Sequence, residues 1–241
     1  DVVFGCDITA DNSTTYMSFF SQMDTYGDGY AGIGVWRAAF KPLVDRIADT
    51  DIRLQWFCCD RSTGVTDASG NRITLIRDTQ SPVAVEYQAV KFIGTGRDNI
   101  KAGVFSGWEL GDYIYLRSEE AYMIKMEALA HKGSAEAVTE LNSFMKTRQP
   151  DYNYTFTNKA DLIEEIIYQK RVEFWGEGLE YIDNRRLNIP VDRTDETWGA
   201  ENNNHFSAGK FRYNQEDRPF LYQLPLSEIE NNSQLSPSDQ N

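Results

Sequence analysis

Hydrophobic positions divide the chain into an irregular first half and a helical second half. From residue 118 onwards, apolar side chains recur about every 3.6 positions, which is the period of an amphipathic helix. The pattern predicts one helix from 118 that ends at Gly133, and a second that starts after Ser134 and ends before Pro150. The stripes expected to be buried are Tyr122, Met126 and Leu129 in the first helix, with Ile124 and Ala128 beside them, and Ala135, Val138, Leu141, Asn142 and Met145 in the second.

A third helix is predicted to begin after the linker 152–156. Asn158 can cap it by accepting a hydrogen bond from the backbone N–H of Asp161, and charged residues at helical spacing continue the pattern to 186. Two helices joined by a tight turn form a tetratricopeptide-like pair, which cannot cover its own apolar stripes and is expected to pack on further helices. The buried stripe predicted for the third helix is Leu162, Ile163, Ile166, Ile167 and Phe174.

The first half of the chain shows no sustained period. Segment 11–35 is polar and rich in glycine and aromatic residues, and it is predicted to be a long loop. Pro42 can open a short helix, and strands are predicted at 54–58 and 83–87. We therefore predict a mainly α fold, a portion of a tetratricopeptide-like α-α superhelix with short irregular β-strands and long loops. The expected divisions of this single domain are a loop- and strand-rich segment that faces the ligand (1–117), a helical segment (118–190) and a loop-rich C-terminal segment (191–241).

Composition excludes several classes of function. The 241 residues include 24 basic and 37 acidic side chains, a net charge of −13, so the chain lacks the basic surface that nucleic-acid binding needs. It has no apolar run of about 18 residues that could span a membrane. The sequence gives no support for a metal or cofactor. It has only two histidines, and its three cysteines lack metal-binding spacing. Segment 24–35 resembles a calcium loop but departs from it at the third and twelfth positions. Because residues 1–6 resemble neither a translation start nor a targeting peptide, we expect the chain to be part of a longer polypeptide.

Acidic and basic residues are concentrated between 171 and 186, where four carboxylates recur at helical spacing beside three arginines. The carboxylates are Glu173, Glu177, Glu180 and Asp183, and the arginines are Arg171, Arg185 and Arg186. A glycosidase would use two such carboxylates as acid and nucleophile, and one of them would need a raised pKa. Neighbouring arginines lower a carboxylate pKa instead, which favours a network of ion pairs that ties this helix to its neighbours.

Several motifs, kept in order along the chain, resemble the C-terminal region of the SusD/RagB family. They are residues 115–128, Leu141-Asn142 with Arg148, the pattern Arg171-x-Glu173-x3-Glu177-Gly178-x4-Asp183-x2-Arg186, and the closing segment 221–232, with a weaker similarity in Asp51-x-Arg53. The resemblance implies a surface-exposed lipoprotein of the Gram-negative outer membrane, not an enzyme, that captures an oligosaccharide or other nutrient and passes it to a SusC-like TonB-dependent transporter. It also implies that a lipid anchor outside this chain is the only attachment to the membrane. The motif residues expected to form a structural network are Arg117, Glu127, Arg171, Glu173, Glu177, Asp183 and Arg186.

The glycan site is predicted from the chemistry of a sugar, which offers an apolar C–H face and polar edges. Exposed aromatic rings with polar neighbours match both features. Segment 16–36 fits best, and the resemblance implies glycan contacts in the same region, while a second cluster occupies 198–205. The predicted ligand-binding residues are Tyr26, Tyr30, Trp36, Asp24, Asp28 and Trp198, the last beside Asn202, Asn203, Asn204 and His205. The alternatives are a glycoside hydrolase that uses carboxylates of the 171–186 segment, and a helical-repeat scaffold for another protein without a sugar site.

Overall fold

The structure, a computed structural model, describes residues 2–9, 11–12, 17–24, 29–31, 37–59, 86–92, 111–217 and 221–239. Over these ranges the chain is mostly helical with a few short strands, which confirms the predicted fold class. No helix within them combines the length and the apolar content that a membrane crossing would require. The chain forms two compact units, Asp1–Glu173 and Phe174–Asn241. The predicted roles of segments 1–117, 118–190 and 191–241 stay predictions.

Short elements make up the first part of the N-terminal unit. In chain order they are β1 (Val2–Cys6), α1 (Phe19–Met23), α2 (Lys41–Asp45), a 3-10 helix (Ile52–Trp56), β2 (Phe57–Cys58), β3 (Gln88–Ala89) and β4 (Tyr113–Arg117). β1 pairs antiparallel with β4, and β2 pairs antiparallel with β3.

Two predictions for this part need correction. The predicted loop at 11–35 contains the short helix α1, which Ser18 caps by accepting a hydrogen bond from the N–H of Ser21. The strand predicted at 54–58 is helical as far as Trp56, because Asp51 accepts a hydrogen bond from the N–H of Arg53 at 2.9 Å and so opens a turn. Residues 83–85, at the start of the second predicted strand, lie outside the described residues.

Three longer helices complete this unit: α3 (Ser118–His131), α4 (Glu136–Met145) and α5 (Lys159–Glu173), with α3 packed against both of the others. Two predicted helix ends are confirmed. Gly133 has a φ of +71°, the left-handed conformation that favours glycine after a helix, and Asn158 Oδ1 accepts a hydrogen bond from the N–H of Asp161 at 3.0 Å.

The stripe predicted for α3 is confirmed at Met126 and wrong at Tyr122, Ile124 and Ala128. Met123, Met126 and Ala130 are buried, whereas Tyr122 is 52% exposed and Ile124 53% exposed. The helix is apolar on several faces, so the period alone could not select the face that meets α4 and α5. In α4 the buried residues are Ala137, Leu141 and Met145, which confirms the predicted stripe at Leu141 and Met145, whereas Ala135 precedes the helix and is exposed.

The predicted third helix is two helices. α5 ends at Glu173, and the next helix, α6 (Leu179–Leu187), begins after two glycines with left-handed backbones, Gly176 at φ +79° and Gly178 at φ +84°. A residue with a Cβ atom adopts this conformation only at a cost, so the two glycines are suited to the break. Glu173 therefore does not share one helix with the acidic residues that follow it.

The C-terminal unit is built from short elements. After α6 these are β5 (Val191–Asp192), α7 (Asp195–Trp198), a 3-10 helix (Ser207–Gly209), β6 (Arg212–Tyr213), α8 (Leu226–Asn231) and a second 3-10 helix (Pro237–Asp239). β5 pairs antiparallel with β6, with Val191 opposite Tyr213 and Asp192 opposite Arg212.

Candidate functional site

Most of the predicted loop site lies outside the described residues, since Tyr26, Asp28 and Trp36 are not among them. Asp24 is fully buried at the end of α1, and its backbone N–H donates to the carbonyl of Phe20 at 2.7 Å. Tyr30 is 40% exposed. The ligand-binding roles of these residues stay predictions.

A buried carboxylate, that of Glu173 at the end of α5, joins three guanidinium groups. Its Oε1 accepts hydrogen bonds from Arg117 Nη1 at 3.2 Å and from Arg148 Nη2 at 3.0 Å. Its Oε2 accepts one from Arg148 Nε at 3.2 Å and lies 3.5 Å from Arg53 Nη1. Arg53 lies in the 3-10 helix, Arg117 ends β4 and Arg148 follows α4, so one side chain connects four parts of the N-terminal unit.

The electrostatics of Glu173 follow from this geometry. Burial alone would raise its pKa, since only 1% of the residue is exposed. The hydrogen bond from Arg148 and the charges of Arg148, Arg53 and Arg117 outweigh burial and lower the pKa to about 2. A carboxylate held in its charged form is a poor general acid near neutral pH, so the arrangement favours a structural role.

Three of the other predicted network residues have contacts within their own helices. Asp183 pairs with Arg186 within α6 at 2.7 Å, and Glu127 lies 3.6 Å from Nε2 of His131 within α3. The structure leaves Arg171 and Glu177 half-buried. Their network roles stay predictions.

Sequence reasoning did not place Arg53 and Arg148 in the set around Glu173. Both belong to motifs that carry the family resemblance, but each is distant from Glu173 along the chain. Only the packing of the 3-10 helix and of the end of α4 against α5 brings their guanidinium groups to one carboxylate.

In the C-terminal unit, the hairpin of β5 and β6 has two different faces. Beyond the paired strands, the N–H of Arg193 donates to the carbonyl of Phe211 at 2.8 Å, which extends the ladder. Alternate residues of a strand point to opposite faces. The residues that share one face are Val191, Arg193, Phe211 and Tyr213. The opposite face carries an ion pair between Asp192 and Arg212 at 2.7 Å.

Asp192 holds the hairpin to the turn that follows it. Its carboxylate accepts hydrogen bonds from the N–H and hydroxyl of Thr194, the hydroxyl of Thr197 and Nη1 of Arg212, at 2.7 to 3.0 Å. Burial raises the pKa of Asp192, but these hydrogen bonds outweigh it and lower the pKa to about 2. Trp198 also joins this turn, because its Nε1 donates to the carbonyl of Asp192 at 2.9 Å.

The other face of the hairpin borders a cavity of about 330 Å³, here named the aromatic pocket. Its lining residues are Tyr181, Val191, Arg193, Phe211, Tyr213, Leu221 and Tyr222. The ring centroids of Tyr181 and Tyr222 are 5.1 Å apart, and those of Phe211 and Tyr213 are 4.7 Å apart. Such walls offer apolar ring faces with phenolic hydroxyls at their edges, which can contact the C–H face and the hydroxyls of one sugar. Trp198 is not a lining residue, and its ligand-binding role stays a prediction.

Arg193 supplies positive charge to the aromatic pocket. Its guanidinium carbon lies 5.0 Å from the ring centroid of Phe211. Its backbone carbonyl accepts a hydrogen bond from Nδ2 of the buried Asn203 at 2.9 Å, which fixes the start of the side chain. Burial and the charges of Arg193 and Lys210 lower the pKa of His205 nearby.

The aromatic pocket was not identified from the sequence. The only signal was a local alternation, with Val191 and Arg193 on either side of an aspartate, and Phe211 and Tyr213 on either side of an arginine. Three residues are too few for a period of two to stand out. Tyr222 appeared only as part of the closing family motif.

A second cavity, of about 440 Å³, lies in the N-terminal unit beside α5. The guanidinium carbon of Arg46 covers the ring of Tyr168 at 3.8 Å, and the hydroxyl of Tyr152 donates to Glu165 at 2.8 Å. These two tyrosines are therefore engaged within the protein. Nowhere in the described ranges are three His, Cys, Asp or Glu side chains grouped so that they could hold a metal ion.

Comparison with solved structures shows the same fold elsewhere. A SusD-like carbohydrate binding protein from Bacteroides vulgatus is 21% identical, has a TM-score of 0.65 and aligns over 97% of this chain and 48% of its own. A second Bacteroides vulgatus structure, of a protein assigned to sugar binding, is 20% identical, has a TM-score of 0.61 and aligns over 100% of this chain and 45% of its own. The chain thus spans about half the length of these structures. No curated protein matches it.

The family model of the SusD family matches residues 87–241, which is more than half of the chain and includes all of the C-terminal unit. The resemblance predicted from the sequence motifs is therefore confirmed. This chain belongs to the SusD family.

Proposed function

We propose that this protein binds carbohydrate without cleaving it, and that the aromatic pocket of the C-terminal unit is a binding site. The observation that carries the proposal is the presence of two aromatic pairs and an arginine around one cavity of about 330 Å³. Membership of the SusD family and the carbohydrate-binding description of a structural relative support it.

The absence of cleavage is inferred from the chemistry of the acidic residues. A glycosidase needs one carboxyl group with a raised pKa near a second carboxylate. The pKa of Glu173 is instead lowered to about 2 by three arginines. The lining of the aromatic pocket, as far as the structure describes it, contains no carboxylate. A chromogenic glycoside that is turned over by the chain, with the activity lost in Glu177→Gln, would contradict this part of the proposal.

The cellular role proposed for the longer polypeptide follows from the family. We infer that it is a lipid-anchored protein on the cell surface of the outer membrane, and that it passes captured oligosaccharides to a SusC-like TonB-dependent transporter. Affinity purification of the full-length protein from native membranes tests this role. Recovery of the transporter is expected, and a purification without it would contradict the transfer step while leaving carbohydrate binding intact.

Isothermal titration of the 241-residue chain with a panel of neutral and acidic oligosaccharides tests binding directly. We expect a Kd between about 1 mM and 1 µM for at least one of them. Tyr222→Ala removes a 78% exposed ring from the aromatic pocket and should raise that Kd roughly tenfold without lowering the melting temperature.

Phe206→Ala is the matched control for this titration. Phe206 is 75% exposed, belongs to the same unit and does not line the aromatic pocket. Its replacement should leave the Kd unchanged. Equal effects of the two substitutions would show that the aromatic pocket is not the binding site, and no binding by any oligosaccharide would contradict the proposed function as a whole.

A further inference from the structure

Arg193 differs from the other basic residues of its hairpin. Arg212 pairs with Asp192 and Lys210 pairs with Asp195, each at 2.7 Å. Within the described ranges, the guanidinium group of Arg193 has no hydrogen bond and no ion pair, and its side-chain contact is the face of the Phe211 ring. A half-buried positive charge therefore borders the aromatic pocket, and no anion lies beside it among the residues that the structure describes.

This arrangement is unusual for the composition of the chain. Acidic side chains outnumber basic ones by 37 to 24, so a carboxylate partner is the common outcome for an arginine. Among the described residues, none that lines the aromatic pocket is acidic. A partly desolvated guanidinium without a counter-charge attracts an anion, and its planar donors fit the two oxygens of a carboxylate or sulfate.

The position of the charge relative to the rings adds a geometric requirement. The guanidinium carbon of Arg193 lies 5.0 Å from the centroid of Phe211, whose ring is in turn 4.7 Å from that of Tyr213. A ligand that contacts both features must carry its anionic group next to an apolar face. A sugar ring with a carboxylate or a sulfate ester as substituent has this form, because its C–H face lies beside the charged group.

We propose that the aromatic pocket prefers acidic saccharides, with the anionic substituent bound by Arg193 and the sugar ring placed against the aromatic walls. This inference rests on the proposed function, since it names the class of carbohydrate that the same site takes. Carboxylate and sulfate share the chemistry that the guanidinium recognises, and the two are separated by experiment.

Titration calorimetry with three tetrasaccharides tests the preference on the 241-residue chain. Tetragalacturonic acid carries carboxylates only, a κ-carrageenan tetrasaccharide carries sulfates only, and maltotetraose is neutral. At least one acidic ligand should bind ten times or more tighter than maltotetraose, and its affinity should fall with rising salt because screening weakens a charge contact. Whichever acidic ligand binds more tightly identifies the preferred anion.

Variants at Arg193 assign the preference to this residue. Arg193→Gln should reduce the affinity for the acidic ligand about tenfold and leave any affinity for maltotetraose unchanged. Arg193→Lys keeps the positive charge but loses the planar pair of N–H donors of the guanidinium group, so it should retain part of the affinity for the acidic ligand. Lys146→Gln removes an exposed charge from the N-terminal unit and controls for the change in net charge. Circular dichroism of each variant confirms that it is folded.

The outcomes separate this inference from the function on which it rests. Equal affinity of the wild type for acidic and neutral tetrasaccharides overturns the preference but leaves carbohydrate binding in place. An acidic preference that survives in Arg193→Gln overturns the role of Arg193. If no saccharide binds, the proposed function itself fails.

Discussion

Glu173→Gln is the substitution that tests most directly how the N-terminal unit is held together. The change keeps the size of the side chain but removes the negative charge that neutralises Arg53, Arg117 and Arg148. The fall of the pKa from 4.5 to about 2 corresponds to about 3 kcal/mol of stabilisation of the charged form in the folded state. Arg53 keeps its ion pair with Asp51, and Arg117 and Arg148 keep theirs with Glu119, so the expected cost stays at about 3 kcal/mol.

Thermal and urea unfolding at pH 7 measure this loss. For a unit of this size, about 3 kcal/mol lowers the melting temperature by roughly 10 °C. The pH dependence has a definite sign. Because the pKa of Glu173 is lower in the folded than in the unfolded state, its contribution is fully present above about pH 4.5 and is lost as the pH falls towards 2. The difference between wild type and Glu173→Gln should shrink over the same interval.

Glu164→Gln provides the control on the same helix. Its side chain is 76% exposed and lies 3.8 Å from Arg46, so the loss should stay below about 1 kcal/mol. If Glu173→Gln destabilises the protein no more than Glu164→Gln, or if its effect does not change between pH 5 and 2, the three arginines do not depend on Glu173 and the reasoning is refuted.

Three further predictions concern the ends of helices and the hairpin. Asn158→Ala removes the cap of α5 and should lower the free energy of unfolding by about 1 kcal/mol in urea titrations, with Lys159→Ala as a comparison that leaves the cap in place. Gly178→Ala places a side chain on a backbone at φ +84°. Apart from its chain neighbours, no atom of the described residues lies within 4 Å of the added Cβ, so only backbone strain of roughly 1 kcal/mol is expected, and a much larger loss of stability would contradict this. The pKa of Asp192 is lowered from 3.8 to about 2, so its contribution to the hairpin is present at neutral pH and lost as the pH falls from about 4 to 2. The amide of Arg193 donates to the carbonyl of Phe211, and its protection factor against hydrogen exchange should fall over that pH interval in the wild type. In Asp192→Asn the protection factor should be low throughout and should not change with pH.

The helical part of the chain could be read from local patterns. Gly133 and Asn158 act at the helix ends where their chemistry predicts, because a left-handed glycine and an amide cap depend on neighbours only a few residues away. The same is true of the family motifs, which are short segments in a fixed order. The break at Gly176 and Gly178 was missed, because charged residues on either side continued the helical spacing through it.

The sequence by itself therefore determined the fold class, the family and several helix boundaries, since each depends on residues close together in the chain. Tertiary structure alone decided which face of α3 is buried, which arginines surround Glu173, and that rings from α6, the hairpin and the segment at 221–222 line one cavity. These features depend on groups that are distant in sequence and that meet only when their elements pack. A hydrophobic period or a short motif depends only on residues close together in the chain. It cannot show which distant groups meet, and for this reason the charge cluster around Glu173 and the aromatic pocket were identified only from the tertiary structure.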